Sequence, residues 1–456
     1  MEKTNLKQME KMPKTDNRTE KYIATFARLI QEDTTTVAPD SRDLDKFYKF
    51  RKLLDEVFPN ILPLCEYEDF DGSILLKWKG ADSGKKPVMF LYHHDVVPAD
   101  ASKWSHGPFS GDVADGKLWG RGTLDTKCGL WAVLTAADEL AAEGFIPDRD
   151  IYFASTRNEE SSGLGATAII TAFNERGIVL DAIYDEGGFI LPDSIGCTNG
   201  VFAMVAVGEK IPTIIKFIAK GAGGHASMPK KNSPLVRLSR LLVDIEKHDP
   251  FPMYISDTAC QMLRCMAPYM NKHKFIMAHP KIFAPLIKKL LPAMSPAAAV
   301  YFKSTLAFTM ASGSAAMNVI PNEAWVVGNM RTAPHQTPQE CIEILQKICD
   351  KYDIQMEYKF SDRVSKVSDY RRDTYKIMED AIKEAYGDKI DGVVPYVANA
   401  STDSGRCVKY CEQCIRIDPF LISKAQRGTI HAVDENIDIS TLAPAVDCFR
   451  YVIKHL

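Results

Sequence analysis

The sequence has no hydrophobic run long enough to cross a membrane as a helix. A spanning helix needs about 20 consecutive apolar residues, and the most apolar stretch, residues 282–300, contains two lysines and three prolines. The first 21 residues are polar and charged, without the apolar core that marks a secretory signal. We therefore expect a cytoplasmic protein that has no membrane partner.

Positive charge is not in excess either. The 456 residues include 56 Lys and Arg against 59 Asp and Glu, which gives a net charge of −3. Nucleic acids and anionic membranes usually require a basic surface, so we expect neither as a partner. The composition is otherwise ordinary for a globular protein, and the length exceeds what one hydrophobic core usually supports.

The cysteines do not form the pattern of a disulfide framework. The chain has 11 of them, an odd number scattered along a sequence without an export signal, which predicts reduced thiols. Cys411 and Cys414 form a C-x-x-C pair. A redox or zinc-knuckle role would require a thioredoxin-like context or a second pair, and the sequence contains neither, so we expect neither role.

Apolar runs alternate with helical patterns in the first part of the chain. Residues 88–92, 151–154 and 182–184 are uninterrupted apolar stretches, typical of strands buried on both faces of a parallel sheet. Helical patterns lie between them, at residues 130–143 and 165–176. This alternation predicts an α/β domain with a mainly parallel sheet flanked by helices.

The pattern changes near residue 209. Strand patterns at 213–220, 324–330 and 354–360, with helical patterns at 234–247 and 338–352, suit a small α+β domain of ferredoxin-like type. A long segment rich in Met and Pro lies within it. We predict one domain built from residues 1–207 and 364–456, with a second domain, residues 208–363, inserted into it.

Metal-type side chains follow each of the three apolar strands. The strands run into His93-His94-Asp95, Asn158-Glu159-Glu160 and Asp185-Glu186, and Asp125 lies in a glycine-bearing loop. Ligands bind at the carboxyl ends of the strands in an open parallel sheet. One such cluster is usually a solvated or hydrogen-bonded loop. Three clusters at one edge are harder to explain as ordinary loops, because carboxylates that are packed together repel one another unless cations or protons neutralise them.

Mixed histidine and carboxylate ligands suit Zn²⁺, and less specifically Mn²⁺ or Co²⁺. Two divalent ions about 3.5–4 Å apart, bridged by a carboxylate, would activate a water and polarise a scissile carbonyl. A carboxylate that does not bind metal could then carry the proton of the water to a leaving nitrogen. The pattern therefore predicts metal-assisted hydrolysis of an amide bond.

Six short motifs follow the order found in a known family. They are H-x-D-V-V-P at 93–98, G-R-G-x-x-D-x-K at 120–127, E-E at 159–160, D-E-G at 185–187, G-H-x-S-x-P at 224–229 and T-I-H-A-V-D-E at 429–435. Together they resemble the M20 metallopeptidases. The long insertion at 251–319 is similar to that of carboxypeptidase S and the N-fatty-acyl amino acid hydrolases, and its apolar helices could line an acyl pocket or form domain core.

The resemblance implies a di-zinc centre. The ligands that it implies are His93, Asp125, Glu160, His431 and either Asp185 or Glu186. Asp125 would bridge the two ions, with His93 on one and His431 on the other. Neighbours on a strand face opposite sides, so only one residue of the pair at 185–186 is expected to bind metal, and the sequence leaves this choice open.

Further residues have implied roles. Asp95 would hydrogen-bond the ring of His93, Glu159 would be the general base, and the peptide bond after Asp125 is expected to be cis. The inserted domain resembles a lid that also forms a homodimer. In it, His225 would stabilise the oxyanion in the partner subunit's site, Arg331 would bind the substrate carboxylate, and Asn318 would contribute an amide.

The substrate expected from this resemblance is a small peptide, as for a carboxypeptidase or dipeptidase, or an N-acyl amino acid, as for an aminoacylase. A non-catalytic, metal-stabilised binding protein is the main alternative, and it predicts that the base or a ligand has been lost. A phosphoryl-cleaving enzyme would need a phosphate-binding loop and more basic residues. The sequence retains Glu159 and the implied ligands, which favours the amidohydrolase.

Overall fold

The chain alternates strands and helices over residues 16–36 and 43–456, which are the residues that the computed structural model describes. The strands are β1 Cys65–Phe70, β2 Ser73–Trp78, β3 Val88–His93, β4 Val113–Ala114, β5 Lys117–Trp119, β6 Ile151–Thr156, β7 Leu180–Asp185, β8 Ile190–Pro192, β9 Val201–Glu209, β10 Ile211–Lys220, β11 Gly224–His225, β12 Thr305–Ser312, β13 Val319–Ile320, β14 Glu323–Thr332, β15 Gln355–Lys359, β16 Gly392–Ala398, β17 Cys411–Arg416 and β18 Asn436–Asp438. The helices are α1 Asn17–Gln31, α2 Asp45–Val57, α3 Lys127–Ala142, α4 Leu164–Glu175, α5 Pro234–His248, α6 Asp257–Met266, α7 Lys274–Ala278, α8 Pro280–Met294, α9 Pro296–Ala299, α10 Pro338–Lys351, α11 Asp373–Tyr386, α12 Ser404–Cys407, α13 Lys424–Arg427 and α14 Leu442–His455.

The largest sheet has the strand order β1-β2-β6-β3-β7-β17-β9-β16. Strands β6, β3, β7 and β17 run parallel to one another, and β9 and β16 form a second parallel pair. Strand β8 pairs with β9. The predicted α/β class with a mainly parallel sheet is confirmed.

Helices cover both faces of this sheet, which explains why the apolar runs in its central strands are uninterrupted. Every residue of β3 and β6 is buried. Phe90 and Tyr92 point to one face, where they join the core formed with α1, α3 and α14. Met89 and Leu91 point to the other face and pack in the core that includes α4. The alternation follows the two-residue period of a strand.

The inserted domain is a β-α-β-β-α-β unit. Its sheet has the order β12-β14-β10-β15 and is antiparallel throughout. Helices α5 and α10 cover one face and share its core. Helix α10 begins with a capping box, in which the side chains of Thr337 and Glu340 each accept the backbone N–H of the other residue. This is the predicted ferredoxin-like arrangement.

Helices α6 to α9, which interrupt this unit, do not share its core. Met262, Leu263 and Ile287 pack with Phe202 of β9 and Tyr396 of β16, on the other domain. These helices therefore cover the end of the large sheet at β9 and β16. The domain limits at residues 207/208 and 363/364 stay a prediction.

Within the described residues, no helix is long and apolar enough to cross a membrane. All 11 cysteines are free. The sulfur atoms of Cys411 and Cys414 lie 3.1 Å apart in a buried part of β17, and neither belongs to a metal-type cluster in the part of the chain that the structure describes.

Candidate active site

Three parallel strands bring acidic and histidine side chains to one edge of the large sheet. His93 is the last residue of β3, and Glu159 and Glu160 lie in the turn after β6. Asp185 ends β7 and Glu186 follows it. Because β6, β3 and β7 are parallel neighbours, their carboxyl ends lie side by side, as the sequence predicted.

Asp125 lies at the centre of this group. Its Oδ1 is 3.0 Å from Nε2 of His93, and its Oδ2 is 3.0 Å from Nε2 of His431. Glu186 Oε1 is 3.4 Å from the His93 nitrogen, and Glu160 Oε1 is 3.1 Å from the His431 nitrogen. Two clusters of metal-type side chains thus share one carboxylate. The Asp125–Thr126 peptide bond is cis, as expected.

The donor atoms have the spacing that a metal ion requires. Within each cluster they lie within 4.8 Å of one another, and ligands around a tetrahedral zinc ion at 2.0–2.1 Å would be about 3.3 Å apart. Burial raises the pKa of Glu186 to about 8. Hydrogen bonds with Asp125 and Glu160 raise the pKa of His431 to about 10. Both pKa shifts have the same origin, because buried carboxylates are stabilised by a bound proton or by a nearby positive charge. The donor set therefore fits divalent cations.

Asp185 faces away from these clusters. Its Oδ2 accepts hydrogen bonds from the Thr402 hydroxyl at 2.5 Å and from the Ser404 backbone N–H at 3.0 Å. The Thr402 backbone N–H donates in turn to Glu209, the last residue of β9. Glu186 thus lies with the metal-type side chains, whereas Asp185 belongs to a buried network with Thr402, Ser404 and Glu209. Which of the two residues binds metal stays a prediction.

Asp95 contacts both the ring of His93 and the turn that carries Glu159 and Glu160. The sequence predicted only the contact with His93. The Nδ1 atom of His93 lies 2.9 Å from the backbone carbonyl oxygen of Asp95, and 3.5 Å from its carboxylate. The carboxylate accepts the backbone N–H groups of Glu159 at 3.1 Å and Glu160 at 3.3 Å. Asp95 thus orients the His93 ring mainly through its main chain and the Glu159–Glu160 turn through its side chain.

Glu159 lies beside the two clusters without belonging to either. Burial, followed by the nearby charge of Glu186, raises the pKa of its carboxyl group well above the ordinary value. Its backbone is fixed by Asp95, and Asn158 caps the same turn, accepting the N–H groups of Ser162 and Gly163 at its carbonyl oxygen. A fixed carboxylate with high proton affinity beside a metal-type centre suits proton transfer.

The lid residues lie apart from the clusters. His225 is exposed in the short ribbon formed by β11 and β13, where its Nδ1 is 2.7 Å from the hydroxyl of Ser227. The carbonyl oxygen of Asn318 accepts the N–H of Ala226 in the same ribbon. Arg331, on β14, donates to the hydroxyl of Ser401 at 3.3 Å. In the described structure, no hydrogen bond or ion pair joins these three residues to the metal-type side chains.

Comparisons with known proteins identify the family of the chain. A family model described as peptidase family M20/M25/M40 matches residues 89–455. The chain belongs to this family. It is 30% identical to the human N-fatty-acyl-amino acid synthase/hydrolase PM20D1 over 436 residues, which cover 93% of this chain and 86% of that protein. It is 28% identical over 422 residues to the probable carboxypeptidase S-like 2 of Dictyostelium discoideum, covering 90% and 79% of the two chains.

A solved structure of an M20 family metallo-carboxypeptidase, Sso-CP2 from Sulfolobus solfataricus, is similar in fold to this M20 chain. The TM-score is 0.70 at 17% sequence identity, and the match covers 97% of this chain and 99% of that one. The resemblance drawn from the six motifs is therefore confirmed at the level of the family and the fold.

Glu435 is a residue of this M20 site to which the sequence reasoning assigned no role. It is fully buried, and its Oε1 accepts the backbone N–H groups of Gly122 at 3.1 Å, Leu124 at 2.7 Å and Asp125 at 3.1 Å. Its Oε2 is 2.5 Å from Arg121. Glu435 therefore joins the loop that carries Asp125 to its own loop. The signal in the sequence was its place four residues after His431, in the last motif.

The loop of His431 is constrained as well. His431 has a φ of 60°, in the left-handed region that non-glycine residues rarely adopt. Arg121 donates to the carbonyl oxygen of the next residue, Ala432, at 2.8 Å, and so holds the loop in place. The strained backbone and its neighbours together direct the imidazole toward Asp125.

The adjacent carboxylates at 185 and 186 provide a matched pair of variants. We expect Glu186→Gln to weaken binding of one metal ion by more than about 100-fold. Removing a residue that only hydrogen-bonds a metal ligand already lowers metal affinity about 10–100-fold. Asp185→Asn should retain both ions. Metal content after dialysis, measured by mass spectrometry, distinguishes them, and loss of an ion from Asp185→Asn alone would contradict the geometry.

Removal of the Glu435 carboxylate should loosen the loop of Asp125. We expect Glu435→Ala to lower metal affinity about 10–100-fold, because three buried N–H groups lose their acceptor. Competition with a chromogenic chelator measures this affinity. Glu139→Ala is the control, because Glu139 bonds Arg18, Tyr22 and Arg450 in another part of the fold. It should lower thermal stability and leave metal affinity unchanged; equal affinity losses would refute the positioning role of Glu435.

Proposed function

We propose that this M20 family member is a di-zinc hydrolase that cleaves the amide bond of a small peptide or an N-acyl amino acid. The observation that carries the proposal is the double contact of Asp125, whose two oxygens each lie 3.0 Å from a different imidazole. One ion would be held by His93, Asp125 and Glu186, and the other by Asp125, Glu160 and His431. Co²⁺ or Mn²⁺ could replace zinc at such ligands.

When bound, the two ions would supply Lewis acidity to a water and to the scissile carbonyl. The residues of the chain supply the rest. Glu159 would accept a proton from the attacking water and deliver it to the leaving nitrogen. Its backbone N–H is fixed on the carboxylate of Asp95, and its buried surroundings keep its proton affinity high. The presence of this residue beside two complete clusters favours an enzyme over a binding protein.

The class of substrate follows from the relatives and from Arg331. The human relative is named for N-fatty-acyl-amino acids and the Sulfolobus protein for carboxypeptidase activity. Arg331 is partly buried, with the hydroxyl of Ser401 as its hydrogen-bond acceptor, and a guanidinium fork suits a carboxylate. We therefore propose that Arg331 receives the free carboxylate of the amino acid, and that Asn318 adds an amide contact.

We further propose that the chain acts as a homodimer through its lid. Among the described residues, strand β12 is an edge of the lid sheet with no pairing partner on its outer side, and its Met310 is exposed to 60%. Val319, which pairs with His225 in the ribbon, is exposed to 47%, and Met317, two residues earlier in the chain, is fully exposed. An edge strand and apolar side chains of this kind are suited to pairing with a second copy. His225 would then act in the partner subunit's site.

The cytoplasm is the compartment that we propose. The 11 free cysteines, most of them buried, fit a reducing environment.

The reaction class is tested with protein stripped by a chelator and reloaded with zinc. We expect the reloaded protein to release a free amino acid from members of a panel of dipeptides and N-acyl amino acids. Glu159→Gln should lower kcat by about 10²–10⁴-fold, the usual contribution of a general base, with metal content unchanged. If no member of the panel is cleaved although two ions are bound, the binding-protein alternative gains support.

The action of His225 across subunits is tested by mixing two inactive variants. Homodimers of His225→Ala and of Glu159→Gln should each be inactive. Mixed dimers contain one site with both residues intact, so activity should recover to about a quarter of the wild-type level for random exchange in a two-fold dimer. Different affinity tags on the two variants, recovered together on one tag resin after mixing, confirm the exchange. Mixed dimers without recovered activity would contradict the role in trans.

A further inference from the structure

The insertion carries an unusual distribution of charge. Residues 258–322 contain seven of the 56 Lys and Arg of the chain, and none of its 59 Asp and Glu. The cations are Arg264, Lys272, Lys274, Lys281, Lys288, Lys289 and Lys303. The chain as a whole has a net charge of −3, so this segment is a local basic region on a slightly acidic protein.

Apolar side chains are exposed among these cations. Phe275 on α7 is exposed to 68%, and Ile282 and Leu286 on α8 are exposed to 72% and 40%. Ile282 and Leu286 lie on either side of a kink at Phe283, where the backbone leaves the helical conformation, and both side chains are exposed. Lys288 and Lys289 follow within a turn and are exposed as well. We call this surface the α7–α8 face.

The α7–α8 face is held on a rigid base. On the opposite side of α8, Ile287 and Leu291 are completely buried, in a core shared with Phe202 and Tyr396 of the large sheet. The ring of Phe275 packs edge-on against Phe283, 5.9 Å away. Both helices are thus fixed to the domain that contains the large sheet. Their buried side chains hold them there, and their exposed apolar side chains have no part in this packing.

Charge around the face is only slightly compensated. Asp257, at the start of α6, lies 3.4 Å from Lys281, and it also contacts Arg371. Lys274 donates to a backbone carbonyl oxygen, that of Pro268. Lys272, Lys288 and Lys289 form no ion pair within the described residues. The α7–α8 face therefore offers positive charge and apolar surface together.

We propose that the α7–α8 face docks on a membrane surface that contains anionic lipid. Phosphate head groups complement the lysines, and Phe275, Ile282 and Leu286 can enter the boundary between head groups and acyl chains. A second copy of the chain is a poor partner, because two such faces repel each other. Nucleic acid would satisfy the lysines but not the exposed apolar side chains. The expectation of no membrane partner rested on the net charge of the whole chain. In that sum, acidic residues elsewhere offset the positive charge of this region.

The proposal is independent of the proposed function, because docking is measured without substrate. Metal-loaded, full-length protein is sedimented with vesicles of phosphatidylcholine alone, or of phosphatidylcholine mixed with phosphatidylserine, at low and at high salt. We expect binding only to the mixed vesicles, and weaker binding at high salt.

Two variants divide the face into its charged and apolar parts. Replacing Lys281, Lys288 and Lys289 with Gln should weaken binding on the order of 100-fold, since each cation near an anionic surface contributes roughly fivefold. Ile282→Ser with Leu286→Ser should weaken it roughly tenfold. The controls change exposed residues elsewhere: Lys52, Lys347 and Lys389 to Gln, and Ile146→Ser with Val179→Ser.

Loss of binding in both α7–α8 variants, with both control variants binding normally, would support the proposal. Absence of binding to mixed vesicles at low salt would overturn it. The proposal would also be overturned by a third result. In that result the lysine variant does not bind, the Ile282/Leu286 variant binds normally, and the unaltered protein binds polyglutamate as tightly as it binds the mixed vesicles. That result would assign the face to an acidic protein.

Discussion

One carboxylate, that of Asp125, contacts both imidazoles of the site, and much of the surrounding structure serves to fix its position. A bridging group must present each oxygen in a set direction, so its backbone has little freedom. Parallel strands deliver His93, Glu160 and Glu186 to the same edge, but Asp125 and His431 come from loops outside the sheet. Glu435, buried between these loops, accepts three N–H groups of one while belonging to the other. The site therefore depends on a buried acid that does not itself lie in either cluster.

Charge is segregated along the chain in a way that the composition conceals. Carboxylates gather at the carboxyl edge of the large sheet, where burial raises the pKa of several of them, whereas residues 258–322 contain none. The acidic centre suits cations and the insertion suits anions. Two surfaces of opposite preference can thus exist on a chain whose net charge is close to zero. Net charge is informative about a partner only when the charges are evenly spread.

The strands, the helices and the gathering of metal-type side chains at one edge of the sheet could be predicted because their signals are local. The apolar run before His93 predicts a buried strand, and its end predicts where the side chain lies. The different contacts of Asp185 and Glu186 could not be predicted, because those of Asp185 involve Thr402 and Ser404, more than 200 residues away in the chain. The contacts of Glu435 could not be predicted for the same reason, because the N–H groups that it accepts, those of Gly122, Leu124 and Asp125, lie more than 300 residues away in the chain. The packing of α6 to α9 on β9 and β16, outside the lid core, also depends on contacts between distant segments.

The connection between the two domains has a mechanical consequence. The chain enters the lid beside Glu209 and leaves it near Arg363, and these two side chains lie 3.5 Å apart. The chain also passes twice between the lid core and helices α6 to α9, which pack on β9 and β16, so four connections join the lid core to the rest of the molecule. Arg331 pairs with Pro212, close to the connection at Glu209, whereas the ribbon of His225 begins beyond the far end of the ten-residue strand β10. His225 is therefore about 30 Å from Glu209 along this strand. A one-degree rotation of the lid about that end would move the imidazole by about 0.5 Å and would move Arg331 much less.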